Sequence, residues 1–203
     1  MPKAAFALGP PSVVGSRRLK RTSQSDEQRV WVGPCELGAG LFAGRAIAQG
    51  EVIVPLGGPR YTRNDPIHES ETGANLLQTG YRTYVLLEAP AVYANHSCDP
   101  NAGVVDSRRL VALRDIAPGQ EIRWDYSTTM DENFWTMRCR CGAAGCRGVV
   151  GDFKTLPREL RRRYLELRVV PRFIAWRYVE GIERPKGVPA RGGIMPAGAA
   201  SGA

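Results

Sequence analysis

No run of apolar residues in this chain approaches the length needed to cross a bilayer. The first 25 residues also lack a continuous apolar core ahead of a small-residue cleavage site, so no secretory signal is read there. Acids are missing from the same stretch. Lys3, Arg17, Arg18, Lys20 and Arg21 all precede Asp26, the first acidic residue. Such a leader reads as a disordered basic arm, with an organelle transit peptide as the other reading. The expected location is intracellular, nuclear or cytoplasmic, with organelle import left open. Without a secretory signal, and with an odd number of cysteines, five, a disulfide framework is not expected.

What the chain does have is positive charge, a formal +8, which first suggests nucleic acid. Its distribution points elsewhere. The leader carries five basic residues and no acid, and Lys154 to Arg191 carries eleven basic residues against four acids. Subtracting +5 and +7 from +8 leaves −4 for the stretch between. A mildly acidic middle favours a cationic partner over a phosphate backbone. Nucleic acid would be met only through the basic ends.

From Gln28 to Leu56, short apolar runs alternate with glycine-rich turns, "RVWVG", "GLFAGRAI" and "EVIVPLGG", the pattern of short strands in a mostly β domain. Residues 58–80 are polar, lack a clear period and are expected to form an inserted loop with a short helix. "YRTYVLLE" (81–88), "RLVALRDI" (109–116) and "APGQEIRWDY" (117–126) return to strand character. Beyond residue 150 the period changes: Leu156, Leu160, Tyr164 and Leu167 recur at helical spacing with arginines between them. Thr155 is the expected N-cap, Pro157 falls near the first turn, and the arginines are read as a solvated face. Pro171 interrupts the pattern, "RFIAWRYVEG" suggests a second short helix, and the Gly/Ala/Pro-rich end is read as disordered.

Cys139, Cys141 and Cys146 form C-x-C-x4-C. Thiolates suit zinc, which takes four ligands in a structural site, so three cysteines leave one position open. Cys98 can supply it from a distant segment. The competing reading is four ordinary buried cysteines with no metal. Cys35 then behaves as a small apolar residue.

Four blocks in order, "GAGLFA" (38–43), "NHSCDPN" (95–101), "GQEIRWDY" (119–126) and "CRCGAAGCRG" (139–148), resemble a SET-domain protein lysine methyltransferase followed by its post-SET zinc segment. The resemblance covers roughly residues 28–150. It implies a mostly β fold with short helices, small β-sheets around a pseudoknot, then the post-SET zinc segment and a C-terminal helical extension. The corresponding division is a disordered basic leader (1–27), a SET domain (28–133), a post-SET zinc segment (134–150), a helical extension (151–181) and a disordered tail (182–203).

The resemblance also implies S-adenosylmethionine as cofactor, structural Zn2+, and transfer of methyl groups to a lysine of a histone-like or other basic protein. Residue by residue, it makes Tyr126 the principal active-site tyrosine and Tyr84 the second tyrosine of the lysine channel, with Tyr81 as the rival for that place. Trp124 stands where the family has Phe or Tyr, and Val92 where it often has Arg. Gly38, Ala39, Gly40, Leu41, Asn95 and His96 are carried over as cofactor contacts, His96 mainly through its backbone. Cys98, Cys139, Cys141 and Cys146 are carried over as zinc ligands. Asp125 is expected to be structural, and Ser97, Pro100 and Asn101 to hold the threaded turn. A general base is not required where burial itself neutralises the amine. Three other readings bear on the same residues. An N-glycosylation site at "NHS" is disfavoured without a secretory signal. A Cys98/His96 nucleophilic pair competes with zinc for the thiol. The alternative for the whole chain is a non-catalytic SET-fold protein-interaction module.

Overall fold

The computed structural model describes residues 29–133, 135–181, 183–186 and 188. The basic leader and most of the expected disordered tail lie outside the described residues. Among the described residues there are twelve short strands and two short helices, with 3-10 turns between them, as the frequent Gly and Pro punctuation predicts.

Strands β1 (Val30–Cys35) and β2 (Gly38–Ala43) form an antiparallel hairpin in which Cys35 faces Gly38. Gly38 closes that turn at φ 106°, a conformation an L side chain resists. The central sheet has the order β3-β9-β8-β10-β7, from β3 (Val52–Pro55), β7 (Asn95–His96), β8 (Ala102–Val105), β9 (Arg109–Ala112) and β10 (Arg123–Trp124). β10 is the unusual member. It runs parallel to both β7 and β8 and lies between them, although only residues 97–101 separate those two in sequence. Parallel neighbours ordinarily need a much longer crossover. Here the short connection is held by Asn101. Its Nδ2 donates to the Glu121 carbonyl at 2.8 Å, and its Oδ1 accepts from the Arg123 amide at 2.8 Å. The "GQEIRWDY" block is thereby fastened to "NHSCDPN". The same block also meets β2, because the Ile122 amide donates to the Leu41 carbonyl at 2.7 Å.

The region read as an inserted loop is more ordered than its polarity suggests. It holds 3-10 turns at Pro66–Glu69 and Glu71–Asn75, and also β4 (Arg60–Thr62) and β5 (Leu76–Gly80). These flank β6 (Thr83–Leu86) in a three-stranded sheet. β4 is three residues with both ends exposed, too short to display a period.

Apolar side chains gather in two main cores. One packs Leu41, Ile53, Val104, Leu110, Ile122 and Trp124 around the central sheet. The other collects Phe153, Leu156, Tyr164, Phe173, Ile174 and Trp176 from the C-terminal extension, with Val188 buried among them. The extension's helices are α1 (Arg158–Glu166) and α2 (Arg172–Ala175). Thr155 is not the N-cap: Pro157 occupies that place without a side-chain cap, and the Thr155 hydroxyl donates to the Asp152 carbonyl in the preceding turn. A hydroxyl already satisfied locally has no reason to reach into the helix. No described helix is long and apolar enough to cross a membrane.

Asp125 joins the parts. Its carboxylate is fully buried, receives two bonds of 2.8 Å from Arg147, and accepts the Tyr164 hydroxyl at 2.9 Å and the Ser127 amide at 3.1 Å. Arg147→Ala leaves that charge buried without its cation. The expected loss is about 3–5 kcal/mol of stability, read from urea unfolding; a loss under about 1 kcal/mol would assign the pair to the class of ion pairs with little net effect.

Candidate functional site

The residues singled out from the sequence assemble on both sides of the β7–β10 pair. On one side, the Asn95 amide donates to the Ala39 carbonyl at 3.0 Å, to Glu121 Oε1 at 2.9 Å and toward Cys35 Sγ at 3.4 Å. Glu121 also pairs with Arg123, and Arg123 reaches the Cys141 carbonyl at 3.0 Å. A Cβ at Gly40 would stand 2.8 Å from Glu121 Oε1, so the glycine leaves that carboxylate its seat. Leu41 is fully buried in the first core. Glu121 is the member of this group not singled out beforehand. It lies inside the quoted block, but only the pairing of β10 with β7 brings it to Asn95.

On the other side, Tyr84, Trp124 and Tyr126 line a narrow cavity of about 70 Å³ together with Leu77, Val92 and Trp135. Tyr81 packs against the second core instead. The Ala94 carbonyl accepts from both Trp124 Nε1 at 3.1 Å and the Tyr126 hydroxyl at 3.0 Å, which fixes the two rings 4.7 Å apart. Burial, with the nearby Glu121 charge, raises the Tyr126 pKa, so it stays a phenol at neutral pH. Tyr84 is 1% exposed and its hydroxyl makes no hydrogen bond of normal geometry; burial raises its pKa as well.

His96 sits between the two halves. It accepts the Tyr126 amide at Nδ1 (3.2 Å) and has Nε2 3.4 Å from Cys98 Sγ. Burial lowers its pKa to about 4 despite the neighbouring Asp125. In a neutral ring whose Nδ1 accepts, the proton is on Nε2, aimed at the Cys98 sulfur.

The ligand atoms of His96, Cys98, Cys139 and Cys141 lie within 4.8 Å of one another, a spacing that a metal ion bridges. Cys146 is exposed, outside that group of four, with its thiol beside those of Cys139 and Cys141. These sulfurs belong to the segment around β11 (Met137–Arg138) and β12 (Val149–Val150). Burial raises the Cys98 and Cys139 thiols. At Cys141 burial acts the same way, but is outweighed by the amides of Cys98 and Ala143 and the neighbouring thiols, which bring it down to about 6. Thiols gathered this closely are a donor set suited to zinc.

With this geometry in place, comparison with known proteins is informative. Residues 38–127 match the SET domain. Human histone-lysine N-methyltransferase 2B is 29% identical over 162 residues, covering 71% of this chain and 6% of the human protein. The H3 lysine-4 specific histone-lysine N-methyltransferase of Candida albicans is 31% identical over 132 residues, covering 54% and 12%. Drosophila melanogaster histone-lysine N-methyltransferase Set2 is 27% identical over 166 residues, covering 70% and 7%. The chain therefore spans a small part of the length of these relatives. Its fold is SET-domain methyltransferase-like, and the His/Cys cluster resembles the post-SET zinc site.

The His96 tautomer separates two possible sets of donors. Metal analysis of the purified protein should find one zinc per chain, lost in Cys98→Ser and Cys139→Ser but kept in His96→Gln. Loss of zinc in His96→Gln, with the fold intact, would make imidazole a ligand and place Cys146 outside the site.

Proposed function

We propose that this chain transfers methyl groups from S-adenosylmethionine to a lysine side chain of a basic protein. The observation that carries the reading is the convergence of Tyr84, Trp124 and Tyr126 on one narrow cavity that Ala94 also lines, next in sequence to Asn95, whose amide binds the Ala39 carbonyl. In this reading the SET portion is residues 28–133, the zinc segment 134–150 and the extension 151–181.

The groups around Asn95 fit the cofactor. Its amino-acid end presents an ammonium and a carboxylate, matched here by the Ala39 carbonyl and Glu121 on one hand, and the Asn95 amide and Arg123 on the other. Gly38, Gly40, Leu41 and His96 complete that wall through their backbone. S-adenosylmethionine supplies, when bound, a methyl group on a cationic sulfur.

The chain's own residues prepare the acceptor. Free lysine has a pKa of about 10.4, and a nucleophilic amine must be neutral. Leu77, Val92, Trp124 and Trp135 shield part of the cavity from water, which disfavours the charged amine. The Tyr126 hydroxyl donates its hydrogen bond to the Ala94 carbonyl, so its oxygen offers lone pairs to the cavity. Those lone pairs orient an amine N–H and accept weak CH···O contacts from a methyl group. Trp124, pinned on the same carbonyl, bounds the space in which the amine can turn. Positioning is the main contribution.

Zinc would be held by Cys98, Cys139, Cys141 and Cys146 as a closed four-thiolate site that folds the segment rather than activating water. Since Cys98 follows the cofactor residues and Arg147 binds Asp125, loss of the metal would disorder both walls. The acceptor peptide, basic and extended, suits the acidic middle of the chain.

Calorimetric titration with S-adenosylmethionine tests the cofactor, and Asn95→Ala should weaken it on the order of 10-fold or more. With a radiolabelled methyl donor and an array of lysine peptides, Tyr126→Phe should lower turnover by about 10²-fold. Absence of cofactor binding by the zinc-loaded wild type would end this reading.

A further inference from the structure

The cavity contains one group that the mechanism above does not use. Glu132 lines it beside Tyr84, and the residue is 4% exposed. No salt bridge to Glu132 is formed among the described residues, whereas its neighbour Asp131 pairs with Arg177. The charged and titratable groups around it are Tyr84, Asp152, His68 and Arg63. Burial raises its pKa above the usual carboxylate range.

The position of Glu132 is built by two other parts of the chain, β5 and residues 152–153. The Asp131 amide donates to Gln78 Oε1 of β5 at 2.8 Å. The amides of Glu132 and Asn133 donate to the two oxygens of Asp152 at 3.1 and 2.5 Å. The Phe153 amide donates to the Met130 carbonyl at 3.0 Å, and Asn133 takes a left-handed φ of 73° to turn the chain away. Gln78, fully buried, and Asp152, 3% exposed, are themselves polar groups committed to this task. Beside the carboxylate stands the buried Tyr84 hydroxyl, a donor facing it. The phenol supplies one donor, but the buried carboxylate, in a cavity lined by both apolar and polar groups, still lacks a cation paired with it in a salt bridge among the described residues. An alkylammonium, with several N–H groups on an apolar stem, supplies it.

We propose that Glu132 receives the ammonium of the incoming lysine and then takes its proton. This rests on the methyltransferase reading and adds to it a residue for the step that burial alone was expected to perform. One ammonium N–H bond breaks, its proton moves to a Glu132 carboxylate oxygen, and the bonding pair stays on nitrogen. A cation and an anion become a neutral amine and a neutral acid. Away from bulk water that exchange is favoured from both sides, because burial disfavours both charged forms. Tyr84, held against His68 with ring centroids 4.5 Å apart, orients the carboxylate through its hydroxyl once the amine arrives.

Two measurements on Glu132→Gln test this, with the thermal unfolding midpoint reporting whether the fold is intact. The first is binding of n-butylammonium, followed by the indole resonances that line the cavity. The wild type should bind it, and Glu132→Gln should weaken binding about 10-fold or more. The second is the pH dependence of methyl transfer to a lysine peptide. The wild-type rate should level off once the carboxylate is ionised. The variant, losing the amine proton to water, should climb about tenfold per pH unit across the same range. Tyr84→Phe, which keeps the ring, should show a smaller effect in the same direction. Equal butylammonium affinity and equal pH profiles in wild type and Glu132→Gln would overturn the proposal while leaving the methyltransferase reading in place. If the wild type transfers no methyl group at all, that reading fails, and butylammonium binding still decides whether Glu132 is a cation site. A Glu132→Gln chain that does not fold passes the test to Glu132→Asp, whose shorter reach should weaken butylammonium binding; unchanged affinity there overturns the proposal.

Discussion

Everything near the cavity hangs on one buried carboxylate. Asp125 lies between Trp124 and Tyr126 in sequence, and its oxygens accept bonds from the zinc-binding segment through Arg147 and from the C-terminal extension through Tyr164. A carboxylate taken out of water is costly unless its lone pairs are filled. Here four donors fill them, counting the Ser127 amide. The arrangement therefore forms completely or is unfavourable, and three segments distant in sequence are obliged to dock together. The two aromatic residues on either side of Asp125 inherit their positions from that docking. The expectation that Asp125 is structural agrees with these contacts.

A second link follows from His96. Its Nδ1 is occupied by the Tyr126 amide, and its Nε2 points at Cys98. Because burial keeps the ring neutral, it is a spacer with fixed polarity: acceptor toward the cavity strand, donor toward sulfur. An N–H directed at a thiolate stabilises the charged form of that sulfur. The cysteine cluster and the tyrosine therefore share a rigid connection two residues long. Two cavity walls that touch through such a connection cannot move independently, which is the property a positioning catalyst needs.

The parts of this architecture that could be read from the sequence are those where local chemistry leaves few alternatives. Close cysteines beside glycines, a glycine-rich hairpin and an Asn-His-Ser-Cys run each restrict what a segment can be. Their joining was less readable. Glu121 looked like an ordinary strand residue until β10 settled between β7 and β8. β4 and β5 were missed because strands of three and five residues draw their stability from β6 rather than from their own pattern. Thr155 was misplaced because capping propensity is blind to a closer acceptor, the Asp152 carbonyl. Tyr84 and Tyr81 could not be ranked by sequence, since residues three apart on a bent strand pair part company only when the second core claims one of them.

Glu132 shows why a burial pattern alone would have hidden a chemical group. "TTMDENFW" has no motif, and acids there read as solvent-facing loop. Yet Asp131, Glu132 and Asp152 are each at most 5% exposed, three acids withdrawn from the surface. Two have evident compensation: Asp131 has Arg177, and Asp152 has two backbone amides. Burial, with the nearby Asp152 charge, raises the pKa of both Glu132 and Asp131. An acid with no salt bridge has two low-energy states away from bulk water, protonated or paired with a cation. A group poised between those two states, on the wall of the cavity that Tyr84, Trp124 and Tyr126 line, differs from the other buried acids of this fold. Its protonation is set by what enters the cavity rather than by the solvent.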